Sequence, residues 1–263
     1  MRDITLRALD VLAGVDVVAA EDTRNTSHLL KHHGIHAKQL IAVHQHNERG
    51  AAEKLVTLLQ QGLSVAFVSD AGTPAVSDPG ALLVQAVLAA GLRVIPIPGA
   101  TAAVAALSAA GMPAPHFLFY GFLPNKSAAR RTALQDLTSH PYTLVFYEAP
   151  HRIIECVDDL YAVLGGERRI VLAREVTKLF ETIHACTLAD AQAWLQSDSN
   201  QQRGEFVVLI SGAAPEAGVS TETVNTLSLL LAELPLKQAV QLATKITGAN
   251  RSELYQLALQ MKE

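Results

Sequence analysis

The sequence predicts an α/β protein of two domains with a small helical appendage toward its C-terminal end. Three observations predict it. Short Val-, Ile- and Leu-rich runs alternate with amphipathic stretches, as strands threaded between helices do. The 263 residues exceed the roughly 100 to 200 that one domain usually holds, and 49% of them are hydrophobic, ample for packed cores. Pro113, Pro115, Gly121 and Pro124 crowd into one short stretch and mark a boundary. The domains are accordingly drawn at 1–113, 114–213 and 220–263.

In the first domain Asp3 is placed to cap a helix over 4–12 that Gly14 closes. A strand over 15–20 runs into Glu21-Asp22-Thr23-Arg24, and a short helix holding Leu29 and Leu30 stops at Gly34. A helix over 51–61 ends at Gly62, followed by a fully apolar strand over 64–69, a helix over 80–90, a strand over 93–97 and an Ala-rich helix over 102–110. Beyond the boundary, strands are expected at 142–147, 169–173, 182–187 and 205–211, with helices near 126–137, 152–164 and 188–196. Phe117, Phe119, Tyr120 and Phe122 alternate as a strand would and are assigned mostly to core packing. After a polar stretch over 212–220, helices over 236–247 and 252–262, joined by Gly248-Ala249-Asn250, resemble a helix-turn-helix.

Composition excludes several classes. Lys and Arg number 21 against 25 Asp and Glu, a net charge of −4, which argues against a protein that coats nucleic acid non-specifically. It leaves room for an enzyme reading one structured RNA through a local basic patch. No run approaches the ~18 apolar residues of a membrane span, and no basic-then-apolar leader opens the chain. Cys156 and Cys186 give neither a disulfide framework nor a metal cluster. His28 and His32 share a helical face and His44 and His46 a strand face, but no Cys joins them, so no metal is expected. The cytoplasm is the default location.

Two segments carry chemistry. Ser69-Asp70-Ala71-Gly72-Thr73-Pro74 leaves a strand's carboxyl end, where open α/β sheets bind ligands. Gly72 allows close approach to the backbone, Pro74 stiffens the turn, and Asp78 is expected to cap the next helix with Pro79 at its first position. Pro98-Gly99-Ala100-Thr101 repeats the arrangement at the next strand end. Small residues at both turns suggest a flat ligand across the sheet edge. The Gly-x-Gly-x-x-Gly fingerprint, the P-loop and the Gly-x-Ser-x-Gly elbow are all absent.

These segments, with Ala20-Glu21-Asp22-Thr23-Arg24, His44-Gln45-His46-Asn47-Glu48 and Gly121-Phe122-Leu123-Pro124, resemble the bacterial ribosomal RNA small subunit methyltransferase I family. Phe146-Tyr147-Glu148-Ala149-Pro150-His151-Arg152, Ala173-Arg174-Glu175-Val176-Thr177-Lys178, Gly204-Glu205-Phe206 and Leu234-Pro235-Leu236-Lys237 continue the likeness in order. The resemblance implies a tetrapyrrole-methylase-like fold, with S-adenosylmethionine (SAM) held between two α/β domains. It implies a homodimer that methylates the ribose 2′-oxygen of one cytidine in the decoding region of 16S RNA in the small ribosomal subunit. Asp70, Ala71, Gly72, Thr73 and Pro74, with Pro98, Gly99, Ala100 and Thr101, would line the SAM pocket from the first domain. Tyr147, Glu148 and the strand after Gly204 would approach it from the second.

Such a reaction needs a base for a poorly nucleophilic hydroxyl, which contributes about 10² to 10⁴-fold. Candidates at strand ends and polar loops are Glu21, Asp22, His44, His46, Glu148, Glu175, Lys178 and Glu181, with the carboxylates of Glu21, Asp22 and Glu148 preferred. Lys126, Arg130 and Arg131 form a basic run that, with Arg152, is assigned to RNA phosphate. Two rivals stand beside this reading: the same fold acting on a tetrapyrrole or protein, and a ligand-sensing DNA-binding regulator. The second is weakened by a helix pair carrying only Lys237, Lys245, Arg251 and Lys262. Members of the family begin with a strand and a Pro-x-Pro-x-Gly-Asn-Leu turn, whereas this chain opens at Met1-Arg2-Asp3, after that point. The expectation is that Met1 lies inside a longer reading frame, the alternative being a damaged enzyme that binds SAM weakly, and that the first sheet here is short of one strand.

Overall fold

The computed structural model describes residues 2–112, 115–214 and 221–261. The boundary expected at Pro113 and Ala114, the linker over 215–220 and Lys262 lie outside the described residues. The first half contains α1 (Leu6–Gly14), β1 (Val17–Ala20), α2 (Thr23–His32), β2 (Leu40–Ala42), α3 (Glu48–Gln60), β3 (Val65–Val68), α4 (Ala81–Ala89) and α5 (Ala102–Ala109). Thr5 rather than Asp3 caps α1: it is the extended residue next to the helix, and its Oγ1 accepts the Ala8 N–H at 3.2 Å.

The strands form a parallel sheet in the order β2-β1-β3, so their carboxyl ends share one edge. Central β1 is wholly buried. Val17 and Ala19 face Ala51, Leu55, Leu83 and Val87 of α3 and α4, while Val18 faces Leu12 and Leu30 of α1 and α2. That alternation is the period-2 pleat of a strand covered on both faces. β3, read as a fully apolar strand, is only half-buried, because one of its edges pairs with no strand among the described residues. The expected strand over 93–97 joins no ladder there either, and Val94 and Ile95 stay 38% and 59% exposed.

The second half contains β4 (Phe117–Phe122), α6 (Ser127–Gln135), β5 (Thr143–Glu148), α7 (Ile153–Leu164), β6 (Arg169–Arg174), β7 (Thr182–Thr187), α8 (Leu188–Ser197) and β8 (Phe206–Ile210). Its sheet runs β4-β5-β8-β6-β7, with β4 parallel to β5 and every other pairing antiparallel. Leu134, Leu160 and Leu195 of α6, α7 and α8 pack one face with Leu144, Phe146, Leu172 and Val208. The other face receives Ala103 and Ala106 of α5 against Val145, Val171, Val207 and Leu209. The Ala-rich helix drawn as the end of the first domain thus covers the second sheet, its small side chains allowing close approach. Phe117, Tyr120 and Phe122, expected in the core, are exposed. β4 is an edge strand, and a register shift between Phe119 and Gly121 breaks the alternation that placed them inside.

The described residues divide into two compact units. Both sheets belong to the larger, which runs up to Thr138 and resumes over Tyr142–Ser211. The smaller joins Ser139–Pro141 to the chain from Gly212 onward. In it, α9 (Thr221–Glu233), α10 (Leu236–Thr247) and α11 (Arg251–Gln260) enclose Leu227, Val240, Ala243, Leu254 and Ala258. Gly248 ends α10 in the left-handed conformation.

Candidate active site

The common strand-end edge of the parallel sheet brings Glu21, Asp22 and Asp70 together. Asp22 caps α2, its Oδ1 accepting the Arg24 N–H at 2.8 Å, and is ion-paired to the Arg24 guanidinium at 2.6 Å. Hydrogen bonds from Arg24 hold its carboxyl down at about 2. Asp70 stitches β1 to β3. Its carboxylate accepts the Asp22 N–H at 3.3 Å and the Asn25 amide at 2.9 Å, while its own N–H donates to Glu21 Oε2 at 3.2 Å.

Beyond Asp70 the chain turns tightly. The Ala75 N–H donates to the Pro79 carbonyl at 3.0 Å and the Val76 N–H to the Thr73 carbonyl at 3.2 Å. Ala75 and Ser77 are held at φ 66° and 62°, in the left-handed region that disfavours L side chains. The amides of Ala71, Gly72 and Thr73 make no hydrogen bond among the described residues. A Cβ on Gly72 or on Gly99 would meet nothing within 4 Å, so both turns present open backbone. The second turn is tied to the N-terminal segment by Thr5 Oγ1, which donates to the Pro98 carbonyl at 3.1 Å.

Asp78 does not cap the next helix. α4 starts at Ala81 with Gly80 as its cap residue, two positions too late for Asp78 to serve. Glu48 of α3 takes the role from outside the helix: its Oε1 accepts the N–H groups of Gly80, Leu82 and Leu83 at 2.9, 2.9 and 3.3 Å. Asp78 is left with burial and the charges of Glu21 and Asp70, which push its carboxyl up to about 6. Both roles were missed in the sequence. The signal available was Gly80 itself, since a residue at φ 129° must lie outside the helix.

From the second half, Tyr147 Oη accepts the Ala103 N–H at 3.3 Å, and its ring lies against Phe119 and Phe122. Glu148, a preferred candidate for the base, lies buried in an ion pair. Its residue is 2% exposed, and its carboxylate accepts the Ala149 N–H at 2.8 Å and pairs with Arg152 at 3.1 Å. The basic run also changes meaning. Arg130 is fully buried, its Nε 2.6 Å from Asp159, and Arg131 Nε lies 2.5 Å from the same carboxylate. Arg152 is spent on Glu148, the Leu123 carbonyl and Asn125 Oδ1. A sequence run of cations was read as one face, but α6 turns about 100° per residue and delivers Arg130 inward. Lys126 remains exposed at the start of α6 with no partner among the described residues.

Ser77 of the first turn approaches β4 so closely that a Cβ on Gly121 would lie 2.7 Å from its Oγ. The remaining candidate bases are tied up locally. Glu175 binds Lys178 at 2.8 Å and accepts the Glu205 N–H at 2.9 Å, Lys178 also reaches Glu205 at 2.9 Å, and Glu181 accepts the Thr177 N–H at 2.6 Å. His44 and His46 lie in the turn after β2 rather than on a strand, with ring centroids 5.9 Å apart. Among the described residues no three His, Cys, Asp or Glu side chains converge as a metal ion would require.

A sequence profile described as Tetrapyrrole (Corrin/Porphyrin) Methylases matches residues 1–192, and one described as the RsmI C-terminal HTH domain matches residues 217–262. Proteins named Ribosomal RNA small subunit methyltransferase I from Pseudomonas aeruginosa and Escherichia coli O157:H7 are 54% and 49% identical, over 98% and 100% of this chain and 92% of each relative. Among solved structures, the methyltransferase CobJ superposes with a TM-score of 0.61 at 23% identity, covering 81% of this chain and 90% of that one. A uroporphyrin-III C-methyltransferase from Thermus thermophilus, complexed with S-adenyl homocysteine, superposes at 0.54 with 17% identity, covering 80% and 91%.

Proposed function

The chain belongs to the ribosomal RNA small subunit methyltransferase I family, built on the tetrapyrrole methylase fold, and from this we propose that it moves a methyl group from SAM to the 2′-hydroxyl of a cytidine in the decoding region of 16S RNA. The observation that carries the reading is the pair of open turns, 70–74 and 98–101, the second leading into α5, where Ala103 meets Tyr147. Their unbonded amides and bare glycines fit a ligand with a flat ring and a carboxylate, which SAM has, and the Thermus relative named above was solved with its demethylated product. SAM supplies the electrophilic methyl on a sulfonium; the protein supplies placement, worth much of the rate when the reacting atoms lie ~3 to 3.5 Å apart.

As the S–CH₃ bond breaks and the O–CH₃ bond forms, the hydroxyl proton needs an acceptor. Asp22 holds its proton too weakly, beside Arg24, and Glu148 is buried. Asp78, pushed up to about 6 within the same turn, is matched to neutral pH. Lys126 and the exposed part of Arg131 would contact phosphate. The reading carries with it a homodimer acting in the cytoplasm on the small ribosomal subunit. No described helix is long and apolar enough to cross a membrane.

The test is transfer of labelled methyl from SAM to 30S subunits lacking that modification. The product should be a dinucleotide resistant to alkali, since a 2′-O-methyl group blocks the attack that cleaves RNA. Labelling of a tetrapyrrole with none of 30S would refute it, as would specific retardation of duplex DNA without methyl transfer.

A further inference from the structure

The segment His44-Gln45-His46-Asn47-Glu48 has no part in the reading above, and the structure gives it one. Asn47 shapes the turn after β2: its Oδ1 accepts the His44 N–H at 2.8 Å and its amide donates to the Ala42 carbonyl at 3.0 Å. That turn starts α3 at Glu48 and aims its side chain across at α4, where one carboxylate oxygen gathers three backbone N–H groups. The first N–H groups of a helix have no partner within it, and a carboxylate there gains from both hydrogen bonding and the helix dipole. Glu48 is itself nearly buried, at 9% exposure.

The three amides lie immediately after the turn 70–79, so Glu48 fixes the far end of the segment that carries the open amides of Ala71 to Thr73. Gly80 is clamped on its other side as well, where a Cβ would strike the Phe67 ring of β3 and lie 3.3 Å from the Ala75 nitrogen. Between β3 and this clamp, Ala75 and Ser77 keep left-handed conformations that a free loop would relax.

We propose that Glu48 is a positioning residue: without touching the cofactor, it holds the 70–80 turn in its SAM-binding conformation through the α4 amides. The inference rests on the SAM reading above for its ligand, but not for its conformational part.

The experiment compares Glu48→Ala, Glu48→Asp and Glu48→Gln for SAM affinity by calorimetry, amide hydrogen exchange over 71–83 without SAM, and kcat at saturating SAM. Removing the acceptor should speed exchange in 71–83 at least tenfold and weaken SAM binding about ten- to a hundredfold, with kcat within about threefold of wild type. Asp, one methylene short of the amides, should behave like Ala and serves if Ala fails to fold. Gln keeps a carbonyl acceptor at the same reach and should recover both readouts to within about threefold. Wild-type SAM affinity and exchange in Glu48→Ala or Glu48→Asp would overturn the proposal, as would a loss of kcat at unchanged affinity. If the wild-type protein binds no SAM, the ligand reading fails, and the exchange pattern alone decides the role of Glu48.

Discussion

Removing Asp159 should cost the second half far more stability than removing its exposed partner Arg131. Asp159, 2% exposed, receives Arg130 Nε at 2.6 Å, Arg131 Nε at 2.5 Å and Ser127 Oγ at 2.9 Å. Arg130 is fully buried, and without Asp159 its guanidinium keeps only the Pro124 and Asn125 carbonyls at 3.4 Å and Glu155 at 3.7 Å. Deleting one member of a buried ion pair strands the other charge, at about 3 to 5 kcal/mol. In a unit of this size that lowers Tm by roughly 6 to 20 °C. Burial pushes the Asp159 carboxyl up, but hydrogen bonds from Arg131, Arg130 and Ser127 outweigh it and hold it below its ordinary value. The pair's contribution is therefore present above the ordinary carboxylate range and lost as pH falls through the lowered value. Urea and thermal unfolding of Asp159→Ala and Arg131→Gln at pH 7 check this. Arg131, with 52% of its side chain exposed, should cost under about 1 kcal/mol. Equal losses in the two variants, or under about 1 kcal/mol for Asp159→Ala, would refute the reasoning. The same calculation makes Arg130→Gln a folding defect, not a selective loss of RNA affinity.

Asp78→Asn should separate stability from activity. The folded protein favours its protonated form, so the penalty is absent below the unfolded value of 3.8 and complete above about 6. Asparagine should thus raise Tm by a few degrees at pH 8, on the order of 1 kcal/mol once solvent screening is allowed for, and change nothing at pH 4, while lowering methyl transfer about 10² to 10⁴-fold. Differential scanning calorimetry at both pH values and methyl-transfer rates at pH 8 check the two halves. Gly204→Ala places a methyl 2.7 Å from Glu175 Oε1 at a φ of 86°, and must displace the carboxylate that holds Lys178 and the Glu205 N–H. The loss should be about 2 to 4 kcal/mol by urea unfolding, from backbone strain and one charged hydrogen-bond centre together.

Apolar periodicity and glycine stops made most elements legible, because both are local. β7 and α10 fall where expected, and most other bounds shift by one to three residues. What the sequence hid depends on partners distant along the chain. The run over 93–97 has strand chemistry, yet a strand exists only with a neighbour to pair. β2, three residues long, is too short to show a period, and α9 sits in a Leu-rich stretch that the preceding polar linker disguised. At the site, Asp70 and the two turns were readable from Gly and Pro at strand ends. Glu148, Arg130 and Arg152 look solvent-seeking by residue type; buried Asp159, 29 positions on, turns Arg130 inward, and the Leu123 carbonyl, 29 positions back, holds the Arg152 guanidinium that pairs with Glu148. Glu48 was invisible for the same reason: its three amides lie more than thirty residues downstream.

The strand order of the second sheet also dictates how this protein is made. β8 is the last strand to leave the ribosome, yet it sits third of five, hydrogen-bonded to β5 on one side and β6 on the other. At 5 to 20 residues per second, roughly 3 to 12 s of synthesis separate the end of β5 at Glu148 from the end of β8 at Ile210. During that interval β4-β5, and β6-β7 once Thr187 has been made, exist only as separate ribbons, each with a bare apolar edge that any other nascent strand can join. The sheet closes in one late step, so a pause in translation between these strands prolongs the vulnerable stage, and a chain cut before Phe206 has no centre on which to assemble.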